Sequence, residues 1–237
     1  MEFLVPLITL IILEVILGID NIIFISILAD KLPHDQRDKL RYWGIGLAMV
    51  MRLVLLFFIS WILKLDQTLF TVMETPFSGK SLILLAGGLF LLYKATKEIY
   101  HQTEGKNEDS PIHTKAKSFN QLLVEVIILD IVFSVDSIIT AVGMVDELWI
   151  MYTAVILTVI IMLIASKPIS DFIKKHHSFK ILALCFLMII GVSLIGEGLQ
   201  FHIPKGFIYF SMFFSFMVDV IQMKASSKIA AETTKTN

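Results

Sequence analysis

The sequence predicts an all-α membrane protein of seven transmembrane helices, built as two inverted-topology three-helix repeats plus one extra C-terminal helix. Three observations predict it. Of the 237 residues 56% are apolar, and mean hydropathy is +0.80. The apolar residues fall in unbroken blocks of about 20, the length an α-helix needs to cross a hydrocarbon core of roughly 30 Å. An acidic motif in the first block also recurs in the fourth.

The blocks lie at 3–29, 43–63, 79–99, 119–144, 148–166, 180–199 and 204–223. Lipid offers backbone N–H and C=O groups no water, so each block must pair its own backbone as a helix. Trp43, Trp61, Trp149, Tyr42 and Tyr100 stand near block ends, where amphipathic rings favour the interface. Between the third and fourth blocks, residues 101–118 are polar, carry both charge signs and include Gly and Pro. They are expected to form a flexible cytoplasmic loop, in which His101 and His113 are solvated. The tail at 224–237 is polar and expected to fray. The chain reads as a single transmembrane domain over 1–237, with repeat one at 3–99, repeat two at 119–199 and the seventh helix at 204–223.

Charge sets an orientation. Sixteen lysines and arginines lie in or beside the loops after blocks one, three and five and in the C-terminal tail, against three on the opposite side. The positive-inside bias then predicts an outside N-terminus, a cytoplasmic C-terminus and a multi-pass cell membrane, bacterial plasma membrane first. Met1 and Glu2 supply no basic leader, and the first block is too long for a signal peptide. Cys185 is the only cysteine, so neither a disulfide within the chain nor a thiolate metal site is expected.

The internal repeat is the strongest organising signal. LEVILGIDNII (residues 13–23) aligns with LDIVFSVDSII (residues 129–139), setting Glu14 on Asp130, Gly18 on Ser134, Asp20 on Asp136 and Asn21 on Ser137. Farther on, Tyr42-Trp43 falls on Leu148-Trp149, Arg52 on Thr158, and Gly88–Lys94 on Gly191–Glu197. An odd number of helices per repeat would reverse the second copy, bringing the two acidic motifs together near the midplane.

A charge at the centre of a membrane helix costs about 2.5–3.5 kcal/mol on insertion scales. Glu14, Asp20, Asp130 and Asp136 are therefore expected to face the bundle interior, with Arg52 offsetting one charge and cations or protons the rest. Glu14 and Asp20, six residues apart, point about 120° away from each other on a regular helix. Either the helix unwinds near Gly18 or Ser134, or the two copies interlock, Glu14 with Asp136 and Asp130 with Asp20. Glu125 shares nearly the face of Asp136 but lies farther along the helix, as part of a vestibule. Lys94, Glu197 and Asp219 lie near block ends, where long polar side chains reach the interface. Lys94 and Glu197 are also candidates, with Arg52 and Glu125, for charge balance or gating.

The donors are oxygens: carboxylates, the Asn21 amide, the Ser134 and Ser137 hydroxyls and backbone carbonyls. Such a set suits a hard divalent cation such as Mg²⁺, Ca²⁺ or Mn²⁺. An anion is a poor fit to a net-negative core. No phosphate-binding glycine loop is present to couple ATP. Nothing points to nucleic acid or to an organic cofactor.

LEVILGIDNIIFISILADKLP (13–33), MVMRLVLLF around Arg52 and LDIVFSVDSIITAVGM (129–144) together resemble the TerC family of integral membrane proteins. The resemblance covers residues 1–223. It implies seven helices, an outside N-terminus and export of Mn²⁺, with Glu14, Asp20, Asn21, Asp130 and Asp136 as the site. A soluble domain of the CBS type that some larger relatives carry is not expected. The function expected is secondary transport of Mn²⁺ by alternating access, with protons as possible counter-ions on the same carboxylates. One alternative is a membrane partner that modulates another transporter or secretion machinery. A remoter one is an intramembrane aspartyl hydrolase, for which the Gly-x-Gly-Asp signature is missing because Asp20 follows Gly18-Ile19.

Overall fold

The computed structural model describes residues 3–103, 118–145, 147–201 and 203–235, with the side chains of Asp20, His177, Lys205 and residues 224–235 outside the description. His113 and most of the 101–118 segment lie outside the described residues. Eight α-helices are present among them: α1 Leu4–Ala29, α2 His34–Phe57, α3 Ile59–Ile62, α4 Gly79–Thr103, α5 Phe119–Val142, α6 Leu148–Lys175, α7 His177–Gly198 and α8 Lys205–Lys235. Helix α8 runs past the expected start of fraying at Lys224.

Five helices are long and apolar enough to cross a membrane: α1, α2, α6, α7 over Ser178–Gly198, and α8 over Gly206–Met223. The expectation of seven spans in two three-helix repeats plus a seventh is thereby corrected to eight helices and five candidate spans. Charge explains the difference. Helix α4 carries Lys80, Lys94, Lys97 and Glu98, and α5 carries Glu125, Asp130 and Asp136 within its apolar run.

The segment between α3 and α4 holds an element the hydropathy pattern does not reveal. After a 3₁₀ turn at Leu63–Asp66, β1 (Thr68–Val72) pairs antiparallel with β2 (Thr75–Ser78). Met73 and Glu74 turn the hairpin with φ of 47° and 67°. Two left-handed residues in a row are what a twisted two-residue hairpin needs, though Asn-Gly fills them with less strain. At the other large connection, Ser118 starts α5 with a capping box. Its hydroxyl accepts from the Gln121 N–H while Gln121 accepts from the Ser118 N–H.

The bundle is assembled from helix pairs: α4 against α7, α1 against α6, and α2 against α5. Small residues set how close these pairs come. A Cβ on Gly88 of α4 would lie 2.6 Å from the Gly191 carbonyl oxygen of α7, and one on Gly191 would lie 3.0 Å from that of Gly88. A Cβ on Gly87 would collide with Val132 of α5. One apolar core, with Leu40, Leu91, Leu122 and Leu184, fills one end of the bundle. A second, with Leu10, Leu56, Ile62 and Ile138, fills the other. Helix α8 rests on α7 and leaves Phe207, Phe210 and Phe213 exposed, as a lipid-facing surface requires.

Charged groups close the end where α1 and α6 finish and α7 begins. Asp30 faces Lys180 at 3.3 Å, Lys174 at 3.7 Å and Arg37 at 3.8 Å. Lys31 pairs with Glu98 of α4 beside them.

Replacing Gly88 by Val should loosen the α4–α7 contact and cost about 1–3 kcal/mol, the usual scale of overpacking. Gly46, whose added Cβ would meet nothing within 4 Å, should accept Ala with no loss. Thermal unfolding of the two purified variants in detergent checks the contrast.

Candidate cation site

The deepest polar cluster joins three helices. Arg52 of α2 donates from Nη1 to Glu14 Oε2 of α1, and from Nη2 and Nε to Asp130 Oδ1 of α5 at 3.0 and 3.3 Å. The same Asp130 oxygen accepts from Asn21 Nδ2 at 3.1 Å, and Asp130 Oδ2 accepts from Ser134 Oγ at 3.2 Å. Arg52 and Asp130 are each 3% exposed. Burial of this depth is tolerable only because the rigid, five-donor guanidinium spans two carboxylates at once. Two carboxylates on one guanidinium still leave a net negative charge.

The two motif copies therefore meet through their aligned first carboxylates, Glu14 and Asp130. Neither helix unwinds to allow it, since α1 runs unbroken through Gly18 and α5 through Ser134. The local unwinding considered from sequence is corrected. Gly18 instead admits α6, because a Cβ there would lie 2.6 Å from Met162 Sδ. The side chain of Asp20 lies outside the described residues. Thr158, aligned with Arg52, is 1% exposed, and its hydroxyl has no hydrogen-bond partner among the described residues. One arginine thus serves both copies.

Asp136 is buried but belongs to a different cluster. Lys80 Nζ of α4 lies 3.7 Å from Asp136 Oδ1 and 3.5 Å from Glu197 Oε1 of α7. Ser137 is buried on α5 and donates to the Ser134 carbonyl at 3.4 Å. Glu125 pairs with Lys94 Nζ at 2.7 Å. Lys94 and Glu197 thus face other helices, with side chains 16% and 19% exposed, rather than reaching out to the interface. Lys80 is the residue sequence reasoning missed. Its signal was a lysine in the first turn of an apolar helix, but only the α4–α5 packing shows what it meets.

Small cavities flank the buried triad. One of about 10 Å³ is lined by Asn21, Asp130, Val126 and Met162, and another of about 10 Å³ by Glu14, Leu56 and Ile138. Each has room for barely one water, so the site is closed around its own side chains. Among the described residues no three His, Cys, Asp or Glu side chains converge closely enough to hold a metal ion. A hydrated cation can reach these oxygens only if the helices part.

The family model described as the integral membrane protein TerC family matches residues 1–235. The inner membrane protein YoaE of Escherichia coli K12 is 48% identical over 231 residues, covering 95% of this chain and 45% of that protein. YegH of the same organism is 48% identical over 219 residues, 92% of this chain and 42% of its own length. The E. coli inner membrane protein YgdQ is 48% identical over 220 residues, 93% of this chain and 92% of its own. The chain spans less than half the length of the first two of these relatives. No solved structure matches.

Changing Arg52 to Met should strand two buried carboxylates and destabilise the protein by about 3–5 kcal/mol. Adding Glu14→Gln and Asp130→Asn to that variant should recover most of the loss. Both are read from thermal unfolding in detergent.

Proposed function

This chain belongs to the TerC family of integral membrane proteins, and from that premise we propose that it is a secondary transporter exporting a divalent cation. Mn²⁺ is the first candidate because the family resemblance selects it. Alternating access is the mechanism, with protons as the counter-ion the same carboxylates can exchange for metal. A single membrane domain carries it, and the orientation is an outside N-terminus with a cytoplasmic C-terminus.

The observation that supports the reading best is the meeting of the two motif copies on Arg52. Glu14 and Asp130 come from the aligned positions of α1 and α5, and both are buried. Symmetric carboxylates within a membrane bundle mark ion pathways more often than they mark helix contacts. Their hydrogen-bond partners are a guanidinium, an amide and a hydroxyl, and the carboxylate oxygens favour a hard cation over zinc or copper. In the closed form Arg52 holds the carboxylates together. When the helices part, the same oxygens, with Asn21, Ser134, Ser137, Asp20 and Asp136, become available to the metal. Cargo thereby replaces an internal cation at these carboxylates.

Full-length protein in liposomes, tested with Mn²⁺, Ca²⁺, Mg²⁺ and Zn²⁺, checks this. Mn²⁺ flux is expected, and Glu14→Gln, Asp130→Asn or Asp136→Asn should each reduce it on the order of 10- to 100-fold, the range for groups that hold or orient metal. Liposomes that pass none of the four metals would sink the transport reading and favour the modulating-partner alternative.

A further inference from the structure

Two basic side chains hold the buried carboxylates of the motif, and they hold them differently. Arg52 is locked by three hydrogen bonds and is almost wholly buried. Lys80 stands 3.7 Å from Asp136 and 3.5 Å from Glu197, beyond close hydrogen-bond contact with either. A lysine is a compact point charge on a flexible four-carbon stem, whereas an arginine fork is fixed by its planar geometry. Lys80 is therefore the more easily displaced of the two.

Its surroundings give it somewhere to go. A polar cavity of about 170 Å³ opens beside it, lined by Asp66, Lys80, Ser81, Glu197 and Gln200. Several waters fit in such a volume. Gln200 donates to Ser81 Oγ at 3.1 Å across it, tying the end of α7 to the start of α4. Lys80 thus lines this polar cavity and also faces the buried Asp136. Among the described residues, the two cavities flanking the Glu14–Arg52–Asp130 triad are about 10 Å³ each.

We propose that Lys80 is a tethered counter-cation that holds the approach to Asp136 and competes with the transported divalent cation for it. The inference rests on the cation-transport reading above and deepens it. In the closed form the single ammonium charge is shared between Asp136 and Glu197. A divalent cation entering by the polar cavity must displace it, and Lys80 then swings toward Glu197. When the metal leaves, the lysine returns, which lowers metal affinity and speeds release. A purely structural lysine would add stability without setting affinity.

The test is isothermal titration of purified full-length protein with Mn²⁺, beside Mn²⁺ flux in liposomes. Lys80→Met and Lys80→Gln should bind Mn²⁺ on the order of 10-fold more tightly than the wild type, a usual size for coupling between two occupants of one site. Lys80→Arg should stay near wild type, and adding Asp136→Asn to Lys80→Met should abolish the gain. Unchanged affinity in both neutral variants, or a gain that survives Asp136→Asn, would overturn the proposal. Failure of the transport reading is separately visible, as wild-type liposomes without flux while the Lys80→Met gain in binding persists.

Discussion

Arg52 between Glu14 and Asp130 is the interaction on which the rest of the bundle depends. It draws α1, α2 and α5 to one point, and each of the three groups would be prohibitive there alone. The apolar cores at the two ends close around this middle layer because the guanidinium offsets one of its two carboxylate charges and hydrogen-bonds both. Asn21 and Ser134 complete the arrangement by filling the remaining acceptor capacity of Asp130. The lone arginine explains why the repeat is unequal: one copy supplies Arg52, and the other places Thr158 at the aligned position.

Beyond that layer the basic partners of the acids divide by helix. Lys80 serves Asp136 and Glu197, Lys94 serves Glu125, and Lys31 serves Glu98. The partners of these three α4 charges come from other elements, Asp136 and Glu125 from α5, Glu197 from α7 and Lys31 from the segment after α1. That is why α4 can sit against α5 and α7. Close glycine contact with α7 then holds it there. At the opposite end from Lys80, Asp30 collects three basic groups and ties α1 to α6 and α7. A bundle pinned at one end by charge and hollowed by a polar cavity at the other is suited to opening unequally.

Much of this was legible in the sequence because a few physical rules leave little choice. Helical segments followed from apolar runs, burial of Glu14, Asp130 and Asp136 from the cost of exposing them to lipid, and the Arg52 partnership from its being the one cation at that depth. The number of candidate spans was not legible, because runs of equal apparent length hide the charges that disqualify α4 and α5. The hairpin at 68–78 carries no Asn-Gly signal, since Met73 and Glu74 occupy its turn. Lys80 escaped notice because a residue in the first turn of α4 meets α5 and α7 only through packing. That the aligned first carboxylates, Glu14 and Asp130, share one arginine needed packing to show.

A double-mutant cycle of Glu14→Gln and Asp130→Asn, read by thermal unfolding of the full-length protein, tests the shared arginine most directly. Either single change leaves Arg52 one carboxylate, whereas both together leave it buried and unpaired. The account requires the double variant to lose clearly more stability than the two single losses combined, by about 1 kcal/mol or more. Losses that simply add, within about 0.5 kcal/mol, would contradict it.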